Sequence, residues 1–315
     1  MPSVILLYAL FASLFTIQKE TLFYSEPLFL VGSRMLFAGL LLLIYMLITS
    51  RKVINIKVEH IGSFIMLGLF NIYLTNIFEI WGINHMVSAK ACLIYSLSPF
   101  LAALGAFCVL REVLTKRKWL GMIIGFFGLI PIHFTQTYEE IKFGQCAFFS
   151  IAELSILGAV FCSVYGWILL KKIISEYKYS TVTANAFSMI LGGIVILGHS
   201  YLAGELWQPI PVIEFKPFII YSLFMCLISN IICYNLYGYL LKRFTATFMS
   251  FSGLVTSLFA SLFGYFFLGE TITWHFVISI CMFSLGLALF YKDEIKYCKS
   301  HRFQTTINSN ISVIK

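Results

Sequence analysis

Long apolar runs alternate with short polar connections along nearly the whole chain. The runs fall at about 3–24, 27–49, 60–81, 87–110 and 117–135, then 146–170, 183–204, 217–240, 246–268 and 272–291. Each approaches the roughly 20 residues that a helix needs to cross a bilayer. The pattern predicts an all-α integral membrane protein with ten transmembrane helices. No connection is long enough for a soluble domain, and residues 293–315 form a polar tail. The first run, MPSVILLYALFASLFTIQ, carries neither a cationic leader nor a clear small-residue cleavage site. It is expected to be the first span rather than a signal peptide.

Composition sharpens this picture. Hydrophobic residues make up 60% of the chain and charged residues 11%, against about 25% charged in a soluble domain. A net charge of +8 would suggest nucleic acid on a soluble face, but its placement says otherwise. With the N-terminus inside, 17 of the 22 Lys and Arg fall in cytoplasmic segments: Arg51, Lys52 and Lys57; Arg111 and Lys116 to Lys118; Lys171, Lys172 and Lys178; Lys242 and Arg243; and the tail. That asymmetry predicts cytoplasmic N- and C-termini. The cluster in LREVLTKRKWLG is then a topology mark, and its expected partner is the lipid bilayer, with no nucleic acid. Six of the eight cysteines lie inside apolar runs, without CxxC or Cys/His metal spacing, so no disulfide framework and no metal are expected.

Residues 101–129 align with 259–287 at a constant offset of 158. Ala102/Ala260, Leu104/Leu262, Leu110/Leu268, Glu112/Glu270, Thr115/Thr273, Gly128/Gly286 and Leu129/Leu287 are identical. Five spans per unit place the second copy upside down. REVLTKRK is cationic and its counterpart GETITWHF carries no Lys or Arg, as expected of loops on opposite sides of the membrane. The expected organisation is a first repeat over 1–140, an inverted repeat over 145–292 and a cytoplasmic tail over 293–315.

The segments EPLFLVGSRMLFAGLLLL, SAKACLIYSLSPFLAALGAFCVLREVLTKRKWLGMIIGFFGL and LFGYFFLGETITWHFVISICMFSLGLALF resemble EamA-type carriers of the drug/metabolite transporter superfamily. The shared pattern is a Pro and an Arg in the second helix, SLSP in the fourth, and (R/G)E.(L/I)T before the fifth and tenth. The resemblance implies two inverted five-helix repeats around a central cavity, working by alternating access. SRMLFAG and SAKACLIYSLSPF are similar to a bacterial branch that includes S-adenosylmethionine/S-adenosylhomocysteine exchangers. Two positions depart from repeat symmetry: Pro99 is matched by Ser257, leaving Gly253 or Gly264 to kink helix nine, and Lys90 by Phe248.

Ionisable and amide groups inside spans are the best pointers to a pathway, because each is costly unless paired or hydrated. Arg34, two turns into helix two, reads as a fork for carboxylate or phosphate, or as a structural pair or snorkelling cation. Asn71, Thr75 and Glu79 share one face of helix three, with Asn76 alongside; cavity lining and interhelical hydrogen bonding are both open. Lys90 reads as an anion ligand or a headgroup contact. Glu153, five to seven residues into helix six, is expected to pair with Arg34 or Lys90, or to read an amino or sulfonium group. Tyr95, Asn230, Tyr234 and Asn235 offer hydrogen bonds and stacking to a planar substrate. His85 and His275 are expected at the interfaces.

A cavity with both charge signs suits a zwitterionic small-molecule metabolite. No GxxxxGK[ST] is present, so no ATP coupling is expected, and no cofactor is implied. The only aspartate is Asp293, which argues against Asp-rich magnesium motifs of membrane prenyl transferases. The favoured expectation is a non-enzymatic secondary carrier of the bacterial inner membrane. The alternatives are a proton-coupled exporter of amino acids or amphiphiles, a lipid-modifying membrane enzyme, and a non-transporting receptor. The sequence leaves the oligomeric state open.

Overall fold

A computed structural model describes residues 2–49, 56–95, 97–110, 115–128, 130–131, 145–146, 149–242, 249, 252–268, 273–286 and 288–289. The helices are α1 (Pro2–Thr21), α2 (Pro27–Thr49), α3 (Val58–His85), α4 (Ser88–Tyr95), α5 (Ser98–Leu110), α6 (Lys116–Phe127), α7 (Ile151–Ser175), α8 (Thr181–Leu202), α9 (Phe215–Leu241), α10 (Leu254–Leu268) and α11 (Trp274–Gly286). Among the described residues, six of them (α1, α2, α3, α7, α8 and α9) are long and apolar enough to span a membrane. Ser257 and Phe248, two of the repeat-related positions, lie outside the described residues or side chains.

Two expected spans differ in detail. The run 87–110 divides into α4 and α5, with Leu97 in a turn between them. Pro99 has no N–H for the Tyr95 carbonyl, so the first helix cannot continue through it, and the proline instead occupies the first turn of α5. The run 146–170 becomes helical only at Ile151, because Gln145–Cys146 and Phe149–Ser150 pair as a short antiparallel hairpin. A capping box fixes that start. Ser150 Oγ accepts the Glu153 N–H at 3.1 Å, and Glu153 Oε2 accepts the Ser150 N–H at 2.7 Å.

The chain forms two compact units, Met1–Gly105 with Gln136–Ile272, and Ala106–Thr135 with Thr273–Lys315. In the first unit, α2 and α8 cross at nearly bare backbone. A Cβ on Gly193 would lie 2.7 Å from the Leu36 nitrogen, and one on Gly39 would lie 2.8 Å from the Ile190 nitrogen. Small residues at such a crossing let helices gain dispersion contact where lipid offers no hydrophobic drive. α3 docks between α7 and α8: a Cβ on Gly82 would meet Ile156 at 2.5 Å, and one on Gly192 would meet Ile72 at 2.5 Å. Leu30, Met35, Ile72, Met189 and Tyr234 share one core cluster; Leu7, Leu67, Ile173 and Leu240 share another. In the second unit, α6 and α11 also approach through glycine, with a Gly286 Cβ position 2.6 Å from the Gly121 oxygen.

Both α3 and α9 contain a π-helical segment, Gly68–Leu74 and Cys226–Cys233. The wider π turn leaves carbonyls one residue further from their donors. The Thr75 hydroxyl accordingly donates to Phe70 O at 2.7 Å, five residues back.

The start of α2 is held from a distance. The Glu205 carboxylate accepts the Leu28 and Phe29 N–H groups at 2.7 and 2.9 Å and the Ser200 hydroxyl at 2.6 Å, satisfying two orphan donors of the first turn. Partial burial, with the neighbouring Glu205 carboxylate, holds the Glu26 carboxyl above its ordinary pKa. A raised folded-state pKa means that folding favours the protonated acid. The penalty is absent below the ordinary value of about 4.3 and builds as pH rises through the folded-state pKa. Melting curves should therefore show Glu26→Gln more stable than the parent at neutral pH and indistinguishable from it below about pH 4.

Candidate functional site

Six side chains from five helices of the first unit meet inside the bundle. Arg34 on α2 is 4% exposed. Its Nη1 faces Gln18 Oε1 of α1 and its Nη2 faces Asn76 Oδ1 of α3, each at 3.5 Å. These are long contacts for a guanidinium with five donors, and Nε has no hydrogen-bond partner among the described residues. Asn76 Nδ2 donates to Ile72 O at 2.8 Å, which orients its oxygen toward the arginine. Glu79, one turn further along α3, accepts the Tyr95 hydroxyl at 2.6 Å. Its carboxylate interacts electrostatically with Arg34 and adjoins the Gln18 amide. Tyr234 of α9 adjoins the Asn76 amide and interacts electrostatically with Arg34 and Glu79. The result is a buried patch of both signs, rimmed by amides and phenols, with donor capacity left over on the arginine.

Aromatic rings continue the patch on two sides. Phe15 of α1 sets its edge on Tyr95, with centroids 5.6 Å apart. Trp167 of α7 lies 5.4 Å from the Tyr234 ring and stacks on Tyr237 at 4.0 Å.

The expected stripe on α3 does not act as one face. Asn76 and Glu79 join Arg34, whereas Thr75 satisfies its own backbone. Asn71 turns to α7, where a Cβ on Gly166 would come within 2.5 Å of it. The π segment accounts for the split, because it breaks the 3.6-residue register on which a four-residue stripe depends. Asn71 Nδ2 and Asn230 Oδ1 are buried without a hydrogen-bond partner among the described residues; Asn230 Nδ2 lies 2.8 Å from Met35 Sδ. Asn235 accepts from Asn185 of α8 at 3.1 Å and donates to Ile231 O at 2.9 Å, an interhelical amide pair.

Lys90 and Glu153 pair with each other rather than with Arg34. Lys90 Nζ lies 2.8 Å from Glu153 Oε1, with side chains 1% and 4% exposed. Lys90 is thus not a headgroup contact. Glu153 is the third residue of α7, not five to seven residues inside it, because the helix starts at Ile151. Its other oxygen closes the capping box. His85 lies tilted against Trp81, with centroids 4.4 Å apart, and His275 stacks on Trp274 at 3.7 Å. Among the described residues no group of three His, Cys, Asp or Glu side chains could hold a metal ion.

Sequence reasoning missed Gln18. Its signal was legible: it is the lone amide in an apolar run, three residues after Phe15 and seven after Phe11, on the face that meets Tyr95.

The model of the EamA-like transporter family matches residues 2–133 and again 150–292. The chain belongs to this family. An S-adenosylmethionine/S-adenosylhomocysteine transporter of Chlamydia muridarum is 35% identical over 91% of this chain and 90% of its own. The corresponding transporter of Chlamydia trachomatis serovar L2 is 34% identical over 91% of this chain and 87% of its own. More distant family members include an uncharacterised transporter of Bacillus subtilis, 25% identical over 83% of this chain and 86% of its own. One solved crystal structure shares the fold, with a TM-score of 0.63 at 13% identity over 91% of this chain and 94% of that one. As an EamA-like protein with several apolar helices of spanning length, the chain is a multi-pass membrane transporter, and Chlamydia relatives cover almost all of it.

Proposed function

We propose that the protein is a secondary carrier of the bacterial inner membrane that exchanges S-adenosylmethionine for S-adenosylhomocysteine by alternating access. The observation that carries this reading is the buried two-signed patch of Arg34 and Glu79, with Gln18, Asn76, Tyr95 and Tyr234 around it. Both compounds carry an α-amino acid group and an adenine ring, and the first also carries a sulfonium. The open guanidinium donors of Arg34 suit the substrate carboxylate, and Glu79 suits the ammonium and sulfonium. Asn71 and Asn230 supply amides, and Tyr95 and Tyr234 supply phenol edges. Lys90 and Glu153 act on the substrate through the helices they tie together, α4 and α7. The names of the Chlamydia relatives support the substrate pair.

The proposed frame is ten helices in two inverted repeats, over residues 1–140 and 145–292, with both termini cytoplasmic. Helix pairing supports it, since several of the main contacts recur with the repeats exchanged. α3 packs on α7 as α1 packs on α9, and α4 packs on α10 and α7 much as α10 packs on α4 and α1. The glycines at the crossings allow such packed pairs to slide.

Thermal stabilisation of the purified protein tests the substrate class. S-adenosylmethionine and S-adenosylhomocysteine should each raise the melting temperature. Methionine and adenosine, which carry one half of the chemistry each, should do so only at much higher concentration. Equal stabilisation by lipophilic cations lacking a carboxylate would instead favour an amphiphile exporter.

A further inference from the structure

We infer that the two π-helical segments are a matched pair of register hinges that re-aim the site during transport; this rests on the carrier reading above. Gly68 and Cys226, where the segments begin, are 158 residues apart, the offset that relates the repeats in sequence. π-helix appears mostly as single-turn bulges, frequently at functional sites, and the segments here span seven residues in α3 and eight in α9. Their placement relative to the site is also matched. Asn76 and Glu79 lie in the first turns after the first segment, and Tyr234 follows the second. Gln18, Arg34 and Tyr95 sit on helices of uninterrupted α form. A one-residue change of register turns a helical side chain by about 100°, so a shift in either segment moves one set of ligands past a fixed set.

Each segment also holds a buried polar atom without a hydrogen-bond partner among the described residues, Asn71 Nδ2 in the first and Asn230 Oδ1 in the second. Both side chains are at most 2% exposed. Burying an unpaired amide group is unfavourable, so a register that paired it would offset part of the cost of the change. The first segment is packed to permit the change. Gly68 faces the Ser188 carbonyl, 3.2 Å from where its Cβ would stand, and Ile72 lies over Gly192. Small residues on both sides leave backbone to slide on backbone. Exchange of register in one segment at a time gives a device that alternates between the two halves.

Electron–electron distance measurements in lipid nanodiscs test this, with spin labels introduced as unnatural amino acids. One pair, at Ile61 and Asn84, brackets the first segment; another, at Leu223 and Tyr239, brackets the second; a control pair, at Phe37 and Ile48, lies on α2. All six positions are exposed. Measurements are made without ligand, with S-adenosylmethionine and with S-adenosylhomocysteine. The expected result is two resolved distances for each bracketing pair, with populations that respond to ligand, and one distance for the control. Deleting Leu69 or Ile232 should collapse the corresponding pair to one distance. Single distances for both bracketing pairs under all three conditions overturn the hinge, whatever the transport assay shows. Two distances in a protein that fails to exchange these compounds uphold the hinge and dismiss the substrate assignment.

Discussion

Arg34→Ala is expected to lower saturable exchange of S-adenosylmethionine by about 100-fold or more, while the protein still elutes as a folded species. Truncating one side of a buried, hydrogen-bonded charge pair costs about 2–5 kcal/mol, and here the truncated group has donors to spare. Arg34 makes only 3.5 Å contacts to Gln18 and Asn76, and its Nε is open among the described residues. The folded state therefore gains little from it that a substrate carboxylate would not gain more. Arg34→Lys separates charge from geometry: it keeps the cation and loses the planar fork. It should retain measurable exchange with an apparent affinity about tenfold weaker, one hydrogen bond's worth of free energy. If Arg34→Lys matched the parent in affinity, the fork would have no role. If Arg34→Ala lost its fold and Arg34→Lys regained both fold and full exchange, the arginine would be architectural.

Lys90→Met is expected to be the most destabilising single change of those named here, by about 3–5 kcal/mol. The Lys90–Glu153 pair is almost fully buried at 2.8 Å, and removing one ion leaves the other in a low-dielectric setting. Glu153→Gln should cost a similar amount for the opposite reason, although its amide oxygen can still accept the Ser150 N–H and keep the start of α7. The double variant should recover much of the loss, because no unmatched charge remains. Unfolding of the three variants in one detergent gives the coupling energy directly. Additive losses would show that the two side chains do not depend on each other.

Much of this was legible in the sequence, and the parts that were not have physical causes. Apolar length alone located six of the expected spans, which coincide approximately with helices of spanning length among the described residues, and Pro27–Thr49 coincides to the residue. Helix ends set by tertiary contacts were missed. Nothing near α2 announces that Glu205 caps it from 177 residues away. The division of α4 from α5 was implicit in SLSP, since proline removes a donor, but a hydropathy window averages across it. The π segments have no distinct sequence signature, because Gly68–Leu74 and Cys226–Cys233 are mainly apolar stretches around one Asn each. Their effect was to misalign a stripe drawn at α-helical spacing, so Asn71 and Glu79 were grouped although only Glu79 reaches Tyr95. Residue types did identify Arg34, Asn76, Glu79, Tyr95 and Tyr234 as polar groups out of place in lipid. Which of them meet is set by the packing of five helices, and that order is not written in any one of them.

The central claim is exchange through a patch that reads an amino acid group attached to adenine. Counterflow in proteoliposomes tests it most directly. Vesicles preloaded with S-adenosylhomocysteine should accumulate labelled S-adenosylmethionine saturably and above its external concentration. Empty vesicles should not, and Arg34→Ala vesicles should accumulate about 100-fold less. Equal uptake by loaded and empty vesicles, or uptake indifferent to Arg34, would contradict the account.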